Sequence, residues 1–376
     1  MLLNTFTVLA GLFIGGNSTA EQRAITNPGG ESITSIISAS FAIALITSLS
    51  LAVIIEIVLF YQKQNLFPLI YESKNFSLVV LAIPAFIVLE LIDIVFSSGL
   101  KAFEQYKHNA RIEIIIRSVQ VAAIMLSVIV SNSIVPIFGI LLIVNVVRTY
   151  WKARTLKKLV SFDLTRPTLA TIKRLLLTAK WGWIQGGTGL FHTVLDKLVI
   201  TSLFGPEILS LYSICIQLAS QIHAMTAAAF NVVLPRIARL SGQHNDQHTR
   251  SIINKSLALN VAFSIAISLF IYVIGSIYIN HIKLSGSQEL IQFIFGLTCI
   301  SSFLLSLNVS SYYTLAGLGL LKKTAINSIL ASAGLILSLA IAAPISAPTE
   351  VVYGRIVYAF IALLLIWEAK NAPIRH

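Results

Sequence analysis

The sequence predicts an all-α polytopic membrane protein with two pseudo-repeated helix bundles and about eleven transmembrane segments. Three observations lead to this fold class: the composition, the spacing of apolar runs and an internal repeat. Of the 376 residues, 56% are hydrophobic and 11% are charged, and the mean hydropathy is +0.85. A soluble domain carries about 25% charged residues because water must wet its surface, whereas a lipid-facing surface needs none. The composition therefore excludes a soluble globular protein of this size.

Ten apolar runs are long enough to cross a bilayer as helices, since a span needs about 20 residues. A shorter apolar stub at residues 1–14 brings the total to about eleven segments. The ten runs are residues 33–61, 76–99, 112–131, 133–151, 175–204, 208–234, 252–280, 289–315, 324–345 and 350–368. Each run is predicted to form one transmembrane helix.

Sorted by alternate loops, the lysines and arginines predict the orientation of the chain. One set of alternate loops holds 20 of them, and the other set holds four, namely Lys63, Lys74, Lys283 and Arg355. Because positively charged loops stay in the cytoplasm, the C-terminus is predicted to be cytoplasmic. The net charge of +12 follows from this loop distribution, so we expect no nucleic-acid partner.

A shift of 215 residues superposes the two halves of the chain. It places Leu100 on Leu315 and Lys107 on Lys322, and the apolar runs coincide as well. The predicted domains are an N-terminal bundle (1–151), a basic cytoplasmic linker (152–174) and a C-terminal bundle (175–376). The same shift indicates that the first bundle lacks about forty residues, so we expect a 6+6 helix arrangement with the first helix missing.

Residues 180–240 hold the most distinctive motifs. Asp196 and Lys197 lie inside an apolar run, followed by Leu-Phe-Gly-Pro-Glu at 203–207, Leu-Tyr-Ser at 211–213 and Pro-Arg-Ile-Ala-Arg at 235–239. A second segment, 315–323, places an Ala-Gly pair before two lysines. This pattern resembles the Wzx-type oligosaccharide (O-antigen and polysaccharide) flippases. That group belongs to the MATE-like multidrug/oligosaccharidyl-lipid/polysaccharide exporter superfamily.

The resemblance implies a multi-pass protein of the bacterial cytoplasmic (inner) membrane, with two six-helix bundles around a central cavity. It implies a flippase that translocates lipid-linked (polyprenyl-diphosphate) oligosaccharide by alternating access, for the assembly of surface polysaccharide such as lipopolysaccharide. The partners it implies are the lipid-linked oligosaccharide, membrane lipid, a polysaccharide polymerase and glycosyltransferases.

Charged residues inside the spans are the candidates for substrate binding, because a charge in a membrane is costly and usually functional. Arg117, Lys180, Asp196 and Lys197 are the predicted contacts to a diphosphate or its sugars. Arg117 can instead snorkel to the interface or pair with Glu113, and Lys180 can also snorkel. Asp196 and Lys197 point about 100° apart on their helix, so each needs a partner on another helix and a structural ion pair is the alternative.

Glu90 and Asp93 are the candidates for ion coupling. Their i, i+3 spacing places both on one face of a predicted helix. They can neutralise Arg117, or they can take up protons, since burial in an apolar medium disfavours a charged carboxylate.

Several function classes have no support in the sequence. It has no Walker loop, no dinucleotide-binding glycine fingerprint and no nucleophile elbow, and Cys215 and Cys299 lack metal-ligand spacing. We therefore expect neither an enzyme nor a metal or other cofactor. Two alternatives to the flippase stay open. One is a MATE-type cation-coupled drug exporter, which would need a carboxylate-dominated cavity, and the other is an inactive truncated remnant or scaffold.

Overall fold

A computed structural model describes residues 16–66, 76–130, 135–160, 165–243, 246–281, 288–342 and 348–373, and the statements below concern these residues. Helices dominate this part of the chain, and it contains no strand. The chain divides into two compact units, Met1–Trp183 and Ile184–His376. The division lies inside the predicted span 175–204, whereas the sequence placed a linker at 152–174.

The first unit is built around helix α3. Its helices are α1 (residues 16–26), α2 (Ile33–Leu66), α3 (Phe76–Ala102), α4 (Tyr106–Val130), α5 (Val135–Val160) and the first part of α6 (Leu169–Phe230). Helix α3 packs against α2 and α5, and α4 packs against α5. Ile36, Phe96, Leu100 and Leu156 form part of the buried core. Helix α5 continues to Val160, so residues 152–160 of the predicted linker are helical.

The second unit contains the rest of α6 and seven further helices. These are α7 (Val233–Gly242), α8 (Asp246–His281), α9 (Gln288–Leu307), α10 (Val309–Gly317), α11 (Leu321–Ala342), α12 (Pro348–Ala362) and α13 (Leu364–Lys370). Helix α12 packs against α9 and α11, and α8 packs against α9. Tyr212, Phe295, Leu335 and Val352 are fully buried in the core of this unit.

The apolar helices confirm the predicted fold class. Eight described segments are long and apolar enough to cross a membrane. They are Ile33–Ile57, Ala82–Ala102, Tyr106–Val130, Glu207–Gly242, Asp246–His281, Gln288–Gly317, Leu321–Ile341 and Pro348–Lys370. The described parts of the predicted spans 133–151 and 175–204 are also helical, within α5 and α6. The predicted stub 1–14 lies outside the described residues.

Helix α6 turns back on itself at Gly205. The backbone there has φ 81° and ψ 177°, a conformation that essentially only glycine adopts. In a straight helix, Asp196 and Tyr212 would lie about 24 Å apart along the axis, but their side chains are hydrogen-bonded at 2.6 Å. The glycine that the sequence placed between two spans therefore makes the turn that brings these side chains together.

The internal repeat is visible in how two helices end. The chain leaves α3 through Glu104 at φ 58° and leaves α10 through Gly319 at φ 79°. In both places the next residue's amide donates to the carbonyl five residues earlier, at 2.9 Å to Leu100 and 2.8 Å to Leu315. This is the left-handed helix cap known as the Schellman motif. The two caps are separated by the shift that superposes the sequences.

Candidate functional site

A buried ion pair forms the centre of the second unit. The Arg355 guanidinium on α12 donates to the Asp196 carboxylate on α6, and Arg355 and Asp196 are 5% and 0% exposed. The same nitrogen also donates to the His192 carbonyl at 3.1 Å. Tyr212 donates its hydroxyl to the same Asp196 oxygen, Oδ2, at 2.6 Å. Asp196 is therefore held by a cation and a hydroxyl from separate segments, which satisfies a charge that would otherwise be costly to bury.

Arg355 is a helical residue, whereas the count by alternate loops predicts a loop residue. It lies within α12 and is buried, and its backbone carbonyl accepts a 3.1 Å hydrogen bond from Ser301 on α9. The error arose because counting charges by loops assigns a basic residue near the end of a span to the loop. Its partner Asp196 lies 159 residues earlier, beyond the reach of any local pattern.

Lys197 has a different environment from its neighbour Asp196. Its backbone amide donates to Asp196 at 2.7 Å, but its half-buried ammonium has no hydrogen bond or ion pair with any residue that the structure describes. Adjacent helix positions face different directions, so the pairing of Asp196 with Arg355 leaves this cation available. Of the site residues predicted in the second unit, Lys197 is therefore the one whose charge makes no ion pair with a described residue.

His192 packs beside the ion pair. Its ring lies 4.4 Å from the Tyr358 ring, centroid to centroid, with 35° between the planes. The buried Nε2 atom has no hydrogen-bond partner within the described residues. The contact with Tyr358 fits a packing role for His192. One ring nitrogen has no hydrogen-bond partner among the described residues, which is uncommon for a buried polar atom.

A five-residue charge cluster lies inside the first unit. Arg148 on α5 contacts Glu90 at 2.6 Å and Asp93 at 3.3 Å, both on α3. Lys152 contacts Asp93 at 2.6 Å and also Glu113 on α4. The i, i+3 spacing of the acids and the i, i+4 spacing of the bases place each pair on one helix face. The cluster therefore joins α3, α4 and α5.

The cluster changes the expected partners of Glu90 and Asp93. Their cations are Arg148 and Lys152, which are 2% and 1% exposed, whereas Arg117 was the partner considered from the sequence. Arg117 has a side chain that is 52% exposed and lies 3.8 Å from Glu113, and it donates to Gln120 at 3.2 Å. The count by alternate loops places Arg148 and Lys152 among the 20 basic residues of the predicted cytoplasmic loops. Acids and bases at helical spacing on two apolar helices were the signal that could have revealed them.

Lys180 lies at the surface of the first unit, near its boundary. It is exposed, and its ammonium lies 5.2 Å from the centroid of the Trp181 ring, which is within cation–π distance. Near it, a Cβ on Gly182 would overlap the backbone of Gly16, so α1 and α6 approach each other closely there. The charge of Lys180 is therefore accessible at the surface of the first unit.

The described residues contain no candidate metal-binding site. No group of three or more histidine, cysteine, aspartate or glutamate side chains there is arranged to hold a metal ion. The buried carboxylates are instead engaged by arginine and lysine, apart from Glu21. Glu21, on α1, is 1% exposed, and its Oε1 atom has no hydrogen-bond partner among the described residues.

Comparison with known proteins identifies the fold. No protein-family model and no curated protein sequence matches the chain. An outward-facing multidrug resistance MATE family transporter of the MOP superfamily superposes with TM-score 0.78 and 13% identity, over 97% of this chain and 84% of that one. A MOP superfamily transporter from Pyrococcus furiosus, described as having a binding pocket of reverse polarity, gives 0.77 and 14%, over 98% and 86%.

A third similar structure is the Vibrio cholerae MATE transporter VcmN in its bent form. It superposes with TM-score 0.69 and 14% identity, over 98% of this chain and 86% of that one. At such identities the likeness establishes the fold alone. The chain therefore has the fold of MATE transporters of the MOP superfamily.

Proposed function

We propose that this chain is a membrane transporter that moves lipid-linked oligosaccharide across the bacterial cytoplasmic membrane by alternating access. Its transporter fold supports the general part of the proposal. The motifs at 203–207 and 235–239, through their resemblance to oligosaccharide flippases, support the substrate class. The polyprenyl-diphosphate carrier is the anionic part of such a substrate, and cations of the chain would bind it.

The observation that carries this proposal is the charge balance inside the two units. Arg355 neutralises Asp196 in the second unit. In the first unit, the carboxylates of the five-residue cluster are matched by Arg148, Lys152 and the nearby Arg117. With these acids engaged, Lys197 and Lys180 are the predicted substrate-binding cations that make no ion pair with a described residue. Open cations favour an anionic diphosphate over a cationic drug, because opposite charges attract most strongly where water is scarce.

One observation favours a second candidate, a cation-coupled drug exporter. Glu21 is buried, and no described cation lies within ion-pair distance of it. A carboxylate in that position binds a proton or a cation readily, because burial of the bare charge is unfavourable. Glu21 is therefore the residue on which the exporter hypothesis depends, whereas the flippase hypothesis depends on Lys197.

Expression in a bacterial strain that lacks its oligosaccharide flippase tests the two candidates. We expect the chain to restore surface polysaccharide, and we expect Lys197→Gln to reduce this activity strongly while Lys197→Arg and Glu21→Gln keep it. Drug resistance without restored polysaccharide, abolished by Glu21→Gln, would favour the exporter. Failure of both activities at normal membrane expression would favour an inactive remnant or scaffold for glycosyltransferases.

The proposed orientation has its own test. The orientation rests on the distribution of lysine and arginine, with 20 in one set of alternate loops and four in the other. From this bias we infer a cytoplasmic C-terminus. A green fluorescent protein fused to the C-terminus should fluoresce, while an alkaline phosphatase fusion there should be inactive. The opposite pair of results would reverse the orientation.

A further inference from the structure

A basic cavity lies in the first unit, where α1 ends and α6 begins. Its volume is about 230 Å³, and its polar lining comes from Arg23, Asn27, Arg174 and Thr178 together with the backbone of Gly29. Both arginines belong to the loop set that the charge distribution assigns to the cytoplasm. The cavity thus combines two guanidinium groups at one end of the helices, close to the expected membrane surface.

Arg174 is held in place by the turn between α1 and α2. It donates to the Pro28 carbonyl at 2.8 Å and to the Glu31 carboxylate at 2.9 Å. Gly29 has φ 60°, and a Cβ there would lie 3.0 Å from an Arg174 nitrogen. The turn therefore fits closely around this guanidinium and fixes its direction. Glu31 compensates one positive charge of the cavity.

Arg23 is not compensated in the same way. Its side chain is half-buried in the cavity wall, and no residue that the structure describes makes an ion pair or hydrogen bond with its guanidinium. The fold thus brings two like charges to one cavity, and the described carboxylate that compensates them, Glu31, pairs with Arg174. Such an arrangement is unfavourable unless an anion enters, and a half-buried guanidinium keeps five donors for it.

We propose that this cavity, here named the Arg23 pocket, binds the phosphate group of a phosphate ester at the membrane surface. A guanidinium binds phosphate through two parallel hydrogen bonds, and Arg174 is already oriented while Arg23 is open. Two sources share this chemistry: the headgroup of an anionic phospholipid of the cytoplasmic leaflet, and the free diphosphate end of a lipid carrier. The inference goes beyond transport, since the pocket binds phosphate whatever substrate is moved.

The test uses the purified full-length chain with two probes. Inorganic pyrophosphate is titrated calorimetrically in detergent, and thermal unfolding is measured in nanodiscs of phosphatidylglycerol or of phosphatidylcholine. Arg23→Gln is the test variant, and it should fold because its guanidinium has no described partner. Arg23→Lys keeps the charge but loses the paired donors, and it replaces Arg23→Gln if the latter fails to fold.

Arg250→Gln is the matched control. Arg250 lines a second basic cavity, of about 250 Å³, in the other unit together with Asn254 and Lys370. The control removes the same charge and leaves the Arg23 pocket unchanged. A smaller effect of Arg250→Gln than of Arg23→Gln therefore separates specific binding from net charge.

We expect Arg23→Gln to weaken binding about tenfold, the effect of losing one charge-assisted contact, and Arg250→Gln to leave it unchanged. Loss of pyrophosphate binding with no lipid effect supports the free diphosphate as the source. Loss of a phosphatidylglycerol-specific rise in Tm supports the lipid headgroup. Equal behaviour of the Arg23 and Arg250 variants with both probes would overturn the proposal. Because no transport is measured, this outcome is independent of the proposed function.

Discussion

The Arg355 guanidinium donates to the Asp196 carboxylate across 159 residues of sequence. The pair joins α12 to α6 inside the second unit, and neither side chain reaches solvent to any large extent. Since each charge is buried, each depends on the other. The effect of removing one partner should therefore differ sharply from the effect of removing both.

We predict that Arg355→Gln alone destabilises the protein by about 3–5 kcal/mol, because it leaves the Asp196 charge buried without its cation. The double variant Arg355→Gln with Asp196→Asn should lose much less than the sum of the single variants, since no bare charge remains. Thermal unfolding in detergent measures all three variants. Additive losses would show that the two residues are not coupled.

A side chain at position 205 should destabilise the fold. The φ of 81° and ψ of 177° at Gly205 are accessible to glycine and strained for alanine, so Gly205→Ala should destabilise the fold by about 1–3 kcal/mol. Gly189 lies in the same helix at ordinary helical angles, and no heavy atom lies within 4 Å of an added Cβ. Gly189→Ala should therefore be neutral or stabilising by about 0.5–1 kcal/mol. Equal Tm changes for the two variants would contradict the strained turn.

Substitutions at the two equivalent helix caps should change the stability of the protein in opposite directions. Gly319→Ala places a Cβ at φ 79° and should destabilise the protein by about 1–2 kcal/mol, whereas Glu104→Gly relieves the same strain at φ 58°. The Tm of each variant in detergent gives the comparison. If Glu104→Gly lowers the Tm as much as Gly319→Ala does, the caps are not equivalent, and Glu104 contributes through its side chain.

In the charge cluster of the first unit, replacing Lys152 should lower the stability of the protein strongly, whereas replacing Arg117 should change it little. Lys152→Gln leaves Asp93 short of its closest cation and should destabilise the fold by about 3–5 kcal/mol. Arg117→Gln removes a side chain that is 52% exposed and 3.8 Å from Glu113, and exposed pairs contribute about 0–1 kcal/mol. Circular dichroism during urea unfolding reports both. A large loss at Arg117 would mean that this arginine, rather than Lys152, holds the cluster together.

Sequence alone predicts the features that can be read without knowing how helices pack. The apolar spans, the turn at Gly205 and the repeat that relates Leu100 to Leu315 depend on hydropathy, on one glycine and on a fixed shift. They follow from the chain's own pattern because lipid requires whole helices and glycine alone adopts the turn conformation. The parts of these features that fall on described residues are present in the structure.

The partners of the buried charges could not be predicted in the same way. Glu90 meets Arg148 across 58 residues, and Asp196 meets Arg355 across an even longer separation, so the pairs are set by how helices pack. The positive-inside count also assigns Arg148, Lys152 and Arg355 to loops, since it attributes basic residues near span ends to the loops. The sequence placed Asp93 and Asp196 inside apolar runs but did not reveal the buried Glu21, and packing decided which cations met the carboxylates.

Transport by the purified chain in liposomes tests the central claim most directly. A polyprenyl-diphosphate oligosaccharide is placed in the outer leaflet, and a membrane-impermeant glycosidase measures the fraction that has moved inside. We predict that the wild type and Lys197→Arg move the lipid-linked sugar, and that Lys197→Gln is slowed about tenfold through the loss of a charge-assisted contact. Absence of sugar movement, together with cationic dye transport that is abolished by Glu21→Gln, would contradict the flippase and favour the exporter.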